Sequence, residues 1–426
     1  MPTVRLPGSM LLVFILSAAG MEAQILSPED QMRLERVQRI LREVPLIDGH
    51  NDLPWQYEKR ALNHMDQIDL REDQTGHATP LHTDIERLRK GGVGAQFWSV
   101  YVPAELQGGE ATRATMEQID VVHRLIERYP DTFELALSAA DIQAIHKGGR
   151  VASLIGMEGG YSIADSLGVL RQFYRMGARY MTLTHSKLVH WADSATDDPK
   201  HSGLTRFGEE VVREMNRLGM LVDLSHVSIA TMRDAIRVSE APVIFSHSSS
   251  RMLTDHARNV PDEVLELLPA KDGVVMVTFV PSFISEKTRV WYALKDAEEA
   301  RLKAMHQGDP DRVLVETEEW KVKNPTPPAT LNDVADHIDH VRKVAGIDHV
   351  GIGGDLDGIT TVPVGLEDVS KYPMLFVELL RRGYKDEDLR KIAGKNVLRV
   401  FEKAERVAQR LQKERPASDA RIEELD

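Results

Sequence analysis

The sequence predicts an α/β protein, a (β/α)8 TIM-type barrel with inserted loops and a C-terminal helical tail. From Ser27 onward, eight short apolar or β-branched runs alternate with segments of helical period, the pattern of repeated β→α steps. The runs are apolar almost throughout, which suits parallel strands covered on both faces. No GxGxxG turn follows any of them, so a closed barrel is favoured over a doubly wound dinucleotide-binding sheet.

The strand-like runs fall at 45–50, 93–100, 151–157, 179–184, 220–225, 242–246, 273–279 and 349–353. The intervening segments read as amphipathic helices. In 207–219, Val211, Val212, Met215 and Leu218 share one face and Gly219 closes the helix. In 166–177, Leu167, Leu170, Phe173 and Tyr174 do the same. Two connections are long, 55–92 after the first strand and 280–349 between the seventh and eighth. The second holds a charged helical stretch at 296–306 and a proline-rich piece at 324–328. Such insertions in a barrel build or cover the active-site mouth, or else decorate the surface. Residues 386–414 read as one or two charged helices packed outside the barrel, and 416–426 as a polar tail. The expectation is one barrel domain over 27–415.

The first 23 residues stand apart. Arg5 precedes an apolar run at 10–20, followed by small residues, the order of a secretory signal. The run is shorter than the roughly 20 apolar residues of a comfortable membrane span. Cleavage is expected after Gly20 or Ala23, leaving an exported protein, periplasmic or secreted and soluble. The charged C-terminal ERPASDARIEELD and the lack of cysteine speak against a lipid anchor, so no membrane anchor is expected.

Composition narrows the chemistry. Sixty-six acidic against 53 basic side chains leave a formal charge of −13, which argues against a nucleic-acid partner. There is no cysteine, so disulfides, thiolate catalysis and thiolate-held metals are excluded. Any metal must be held by His, Asp and Glu.

Donors of that kind sit at the ends of the predicted strands. The first ends in Asp48-Gly49-His50-Asn51-Asp52; two residues apart in an extended segment, His50 and Asp52 face the same way. Taken alone, His-x-Asp also suits a structural histidine beside a turn aspartate. The third strand delivers Glu158 between apolar residues and two glycines, where a carboxylate needs a partner or a cation, although a helix-capping role also fits. The fourth, fifth and sixth end in Thr184-His185-Ser186, Ser225-His226-Val227 and Ser246-His247-Ser248. Three histidines at consecutive strand ends are hard to attribute to packing, and imidazole is the commonest nitrogen ligand. The eighth ends in Gly353-Gly354-Asp355-Leu356-Asp357-Gly358. In a (β/α)8 barrel these ends converge on one mouth. Two imidazoles and a carboxylate per ion suit Zn2+ with an open position. Glu158 could bridge two such ions about 3.5 Å apart, with a shared hydroxide.

With these segments in this order, the chain resembles the renal or membrane dipeptidase family, peptidase family M19, within the metal-dependent amidohydrolases. The resemblance spans about 46–404. It rests on 48–53 (DGHNDL), 158–160 with the following Ser166-Leu167-Gly168, 183–186 (LTHS), 221–228 (LVDLSHVS), 242–248 (PVIFSHS), 257–262 (ARNVPD), 354–358 (GDLDG) and 396–401 (NVLRVF). It implies a zinc dipeptidase with two Zn2+ per chain: His50 and Asp52 on one ion, His226 and His247 on the other, Glu158 and a hydroxide bridging. By the same matching, His185 polarises the scissile carbonyl or steadies the oxyanion, Arg258 binds the substrate's terminal carboxylate, and Asp355 handles the proton. The chain departs from the family's pattern in lacking the cysteines of animal members and the C-terminal anchor signal, and in its long 280–349 insertion.

Physically, a binuclear centre lowers the pKa of a bridging water to about 7 or below. An Arg fork matches a free carboxylate bidentately; without the motif match, Arg258 would read equally as a surface salt-bridging residue. The expected partner is a small dipeptide, D-residues at its C-terminal position included, and the reading admits a homodimer. Two alternatives share these residues: β-lactam, N-acyl amino acid or lactone hydrolysis on the same metals, and a non-catalytic binding barrel.

Overall fold

The computed structural model describes residues 26–76 and 79–426; the signal expected at 1–23 lies outside the described residues. Among the described residues nine strands form: β1 Leu46–Asn51, β2 Val93–Tyr101, β3 Phe133–Leu135, β4 Val151–Glu158, β5 Ala178–Thr182, β6 Leu221–Asp223, β7 Val243–Phe245, β8 Val274–Val277 and β9 Val350–Ile352. All pair in parallel in the order β2-β1-β9-β8-β7-β6-β5-β4-β3. A further pairing of β2 with β4, from Ala95↔Ala152 to Tyr101↔Glu158, closes eight of them into the (β/α)8 barrel.

The eight expected runs are the eight barrel strands. The ninth, β3, pairs only with Val151–Ser153 at the start of β4; three residues are too few to show a period. Continuous burial follows from covering both faces. Every residue of β1, β4 and β5 is buried, with barrel side chains inside and helices outside.

The helices close as their sequences direct. Arg206–Leu218 starts on Thr205, whose hydroxyl accepts from Gly208 N, buries Val211, Val212 and Met215, and stops at Gly219 with φ +86°, a conformation that favours glycine. Leu167–Arg175 is capped by Ser166 and buries Leu167, Leu170 and Phe173. Tyr174 lies only half-buried, its ring under the Arg179 guanidinium at 4.2 Å. An N-terminal helix, Pro28–Glu43, precedes β1 and packs on Tyr372–Arg381.

The 280–349 insertion is helical rather than a loop: Pro281–Ile284, Glu286–Met305, Pro310–Lys323 and Leu331–Val344. The second and third of these pack on each other through Trp291 and Trp320, whose rings lie 5.8 Å apart. At the base, Tyr292 Oη lies 3.3 Å from Thr361 Oγ1 in the loop after β9, so the insertion borders the mouth. The charged C-terminal stretch forms Asp386–Arg390 and Asn396–Glu414. The tail beyond it turns back: the Asp426 carboxylate accepts from Arg206 N at 3.0 Å and from Phe207 N, capping that helix. Among the described residues, no helix is long and apolar enough to cross a membrane.

Candidate active site

All seven donors expected at strand ends come together at the C-terminal mouth of the barrel. His50 is fully buried near the end of β1, and Asp52 follows as the residue before helix Leu53–Ala61. The Asp52 side chain makes no capping bond; its Oδ2 lies 3.4 Å from His50 Nε2, so the two face one another as the extended spacing predicts. Glu158 is the last residue of β4 and 4% exposed. Ser99 Oγ, on the adjacent β2, donates to Glu158 Oε2 at 3.2 Å.

The two oxygens of Glu158 serve different partners. Oε2 is 3.4 Å from His50 Nε2. Oε1 is 3.0 Å from His226 Nε2, 3.4 Å from His247 Nε2 and 3.8 Å from His185 Nε2. His226 Nε2 and His247 Nε2 are themselves 2.9 Å apart. Three groups of potential ligand atoms lie within 4.8 Å of one another: His50, Glu158 and His247; Glu158, His185 and His226; His50, Asp52 and Asp355. A carboxylate between two histidine sets is the arrangement a bridging ligand requires.

The donors also fit a divalent cation in their unmet hydrogen bonding. Among the described residues, His50 Nε2, Asp52 Oδ1 and His226 Nδ1 are buried and make no hydrogen bond of normal geometry, a costly state unless an ion completes them. Burial, reinforced by Arg258 at His226 and by His50 at His247, holds both imidazoles well below their ordinary pKa and therefore neutral, the ligand form. Burial opposes ionisation of Glu158, but the neighbouring imidazoles, His50 foremost, outweigh it and keep the carboxyl well below its usual range. The all-N,O donor set suits zinc or a harder divalent ion.

Around this centre lie the three residues expected to act on substrate. His185 remains partly open at 18% of its side chain, its ring 4.3 Å from that of His226 and 5.1 Å from Tyr101. Burial keeps it neutral. Asp355 is half-buried in a left-handed conformation, φ +59°, with its N–H donating to His50 O at 3.1 Å. Burial, with Asp52 and Glu158, pushes its carboxyl well up despite the opposing pull of His50. Arg258 is 3% exposed. Its Nη2 makes one long contact to His247 O at 3.5 Å, and its Nη1 has no partner among the described residues. Burial lowers its pKa to about 10, which leaves it charged at neutral pH. It stacks over Phe283 at 5.4 Å.

Sequence reasoning missed the supports beneath the donors. Tyr180 Oη lies 2.8 Å from His50 Nδ1 and 3.2 Å from Gly49 O. Gly156 makes room for that ring: a Cβ there would meet Tyr180 Cζ at 2.1 Å. Asp48 accepts from Tyr372 Oη at 2.6 Å and Gly354 N at 2.8 Å, tying β1 to the loop that carries Asp355. Asp223 ends β6 beneath His226 and His247. A signal existed for the two aspartates, since each interrupts a run read as buried on both faces. Tyr180 carried none, because an aromatic residue in a strand reads as core.

The membrane dipeptidase family (peptidase family M19) matches residues 34–415. The chain belongs to this family. It is therefore a metallo-dipeptidase, of a family whose activity is metal-dependent dipeptide hydrolysis. It is 42% identical over 389 residues to dipeptidase verJ of Clonostachys rogersoniana, covering 89% of each chain. A crystal structure of the probable dipeptidase PvdM from Pseudomonas aeruginosa shares the fold, with a TM-score of 0.75 at 23% identity over 89% of this chain and 100% of that one. A metallo peptidase from Rhodobacter sphaeroides, liganded with a phosphinate mimic of the dipeptide L-Ala-D-Ala, is similar with a TM-score of 0.69 at 25% identity, over 85% of this chain and 99% of that one.

Proposed function

We propose that this metallo-dipeptidase is an exported di-zinc enzyme that cleaves dipeptides with a free C-terminal carboxylate, D-residues at that position included. The observation that carries the substrate reading is Arg258: a buried guanidinium beside the metal-ligating cluster with Nη1 unpartnered. A guanidinium hidden from water with a vacant donor is an anion anchor in waiting. It favours substrates bearing a carboxylate one residue beyond the cleaved bond. The Rhodobacter relative's ligand, a mimic of L-Ala-D-Ala, supports tolerance of a D-residue there.

His50 and Asp52 would hold one Zn2+ and His226 and His247 the other, with Glu158, whose two oxygens face His50 and His226, shared between them. Bound zinc supplies a water acidified enough to attack at neutral pH and a Lewis-acid contact for the carbonyl oxygen. The chain does the rest. Arg258 orients the substrate by its carboxylate. Neutral His185 donates a hydrogen bond to the carbonyl oxygen as it gains negative charge. The Asp355 carboxylate takes the proton released by the attacking water and passes it to the leaving amine nitrogen.

Export rests on Arg5 and the apolar run at 10–20. An N-terminus at Met21 or Gln24 in the purified protein is the expected result; intact protein starting at Met1 in the cytoplasm would contradict it. For the activity, zinc content and turnover of an L-Ala-D-Ala-type dipeptide are measured on the same sample. Two zinc ions with turnover abolished by chelation is the expected result. Metal without dipeptide turnover would favour another amidohydrolase substrate. Neither metal nor turnover would leave a binding barrel.

A further inference from the structure

Asp223 takes part in none of the steps above, yet it is fully buried beneath the mouth and carries four hydrogen bonds. Its Oδ2 accepts from Thr182 Oγ1 at 2.5 Å and Ser246 Oγ at 2.6 Å; its Oδ1 accepts from Ser246 N at 2.8 Å and Ser225 N at 3.1 Å. Four donors converging on one carboxylate define it as an acceptor only. The hydroxyl hydrogen of Ser246 is therefore committed to Asp223. Ser246 Oγ also lies 2.8 Å from His247 Nδ1. With its one hydrogen engaged, it can only accept there, so Nδ1 carries the ring hydrogen and Nε2 keeps a bare lone pair. That Nε2 lies 3.4 Å from Glu158 Oε1 and 2.9 Å from His226 Nε2. His226 has no comparable support, since its Nδ1 lacks any partner among the described residues.

We propose that Asp223 and Ser246 are positioning residues for one of the two metal positions: the chain of hydrogen bonds from Asp223 through Ser246 locks His247 in the tautomer that can ligate a cation. The inference rests on the metal-centre reading above. Outer partners of this kind fix ring orientation as well as tautomer. It makes an unusual demand of the isosteric variant Asp223→Asn. An amide placed with its nitrogen at the Oδ2 position donates to Ser246 Oγ. The serine hydrogen is then free to turn toward His247 Nδ1, which becomes the acceptor, and the ring hydrogen moves to Nε2, where it blocks ligation. Ser246→Ala removes the partner without reversing the direction, and so does less.

The test is metal binding rather than activity. Wild type, Asp223→Asn and Ser246→Ala are stripped with chelator and titrated with Zn2+ against a chromophoric competitor, then with Co2+ followed by its visible absorption. Wild type should take up two equivalents. In Asp223→Asn one equivalent should keep its affinity while the other weakens by about 10–100-fold or more, with the cobalt absorption of that position lost. Ser246→Ala should weaken the same equivalent by less. Circular dichroism and the unfolding midpoint of the stripped proteins report folding separately. Wild-type affinity for both equivalents in Asp223→Asn, or a parallel loss of both in a folded protein, would overturn the proposal. Should Asp223→Asn not fold, unchanged binding by Ser246→Ala overturns it and selective weakening upholds it. A wild type that binds no metal removes the metal-centre reading itself, and this proposal with it.

Discussion

Replacing Arg258 by Met separates the carboxylate anchor from the rest of the site. The guanidinium is 3% exposed, its Nη1 is unpartnered and its Nη2 makes only a 3.5 Å contact to His247 O. Two N–H groups are thus available for one carboxylate, in surroundings that water does not screen. Hydrogen bonds to charged groups contribute roughly 1.5–3 kcal/mol each. At the lower end, losing one bond lowers kcat/KM about tenfold and losing both lowers it about a hundredfold. A C-terminally amidated dipeptide has already forfeited the charge, so it should lose far less. The assay is kcat/KM for a free dipeptide and its amide, each with wild type and Arg258→Met. Methionine fits the apolar side facing Phe283, and removing a buried, unpaired charge should leave the unfolding midpoint unchanged or raise it. Lysine should restore only part of the activity, because an ammonium lacks the planar fork. An equal free-to-amide ratio in the two enzymes would mean that Arg258 does not hold the carboxylate, and the dipeptide-length reading would fall with it.

Asp355→Asn should retain its metals and lose about 10²–10⁴ in kcat, the usual cost of removing a general acid–base; a rate within a few-fold of wild type would assign the proton to another group. Glu158→Gln should weaken both metal positions, since its two oxygens face different histidines, and elemental analysis after dialysis should show loss of both rather than one. Acid stability should depend on His337, which burial holds down to about 4; its Nδ1 accepts from Ser250 N at 3.0 Å and its Nε2 bonds Ile284 O at 3.2 Å. The unfolded imidazole, near 6.5, binds the proton first, so this contribution is complete above about pH 6.5 and falls by up to about 3 kcal/mol as pH drops toward 4. Denaturant unfolding of wild type and His337→Gln between pH 7 and 4.5 should show a shallower decline in the variant, and parallel curves would remove His337 as the cause.

Much of the barrel was legible because strand and helix periods are local. Eight apolar runs became the eight barrel strands, and Gly219 closes its helix as its residue type indicates. The insertion at 280–349 was legible as a long excursion with one charged helical stretch, but not as a run of four helices. Its exposed helices bury few side chains, three in the case of Glu286–Met305, so the periodic signal of a core-facing stripe is weak there. The seven donors were visible because each sits where an apolar run stops.

What the sequence by itself determined, then, is the set of donors and the barrel that gathers them, because strand direction alone sends every strand's C-terminal end to the same mouth. What only the tertiary structure decided is how those donors face one another. That Glu158 turns one oxygen to His50 and the other to His226 and His247 depends on β4 pairing in register with β2 and β5. That His247 keeps its Nε2 bare depends on a carboxylate from β6 and a serine just past β7 lying 2.6 Å apart. Hydrogen-bond direction passes between strands far apart in the chain, and no period within a single segment encodes it.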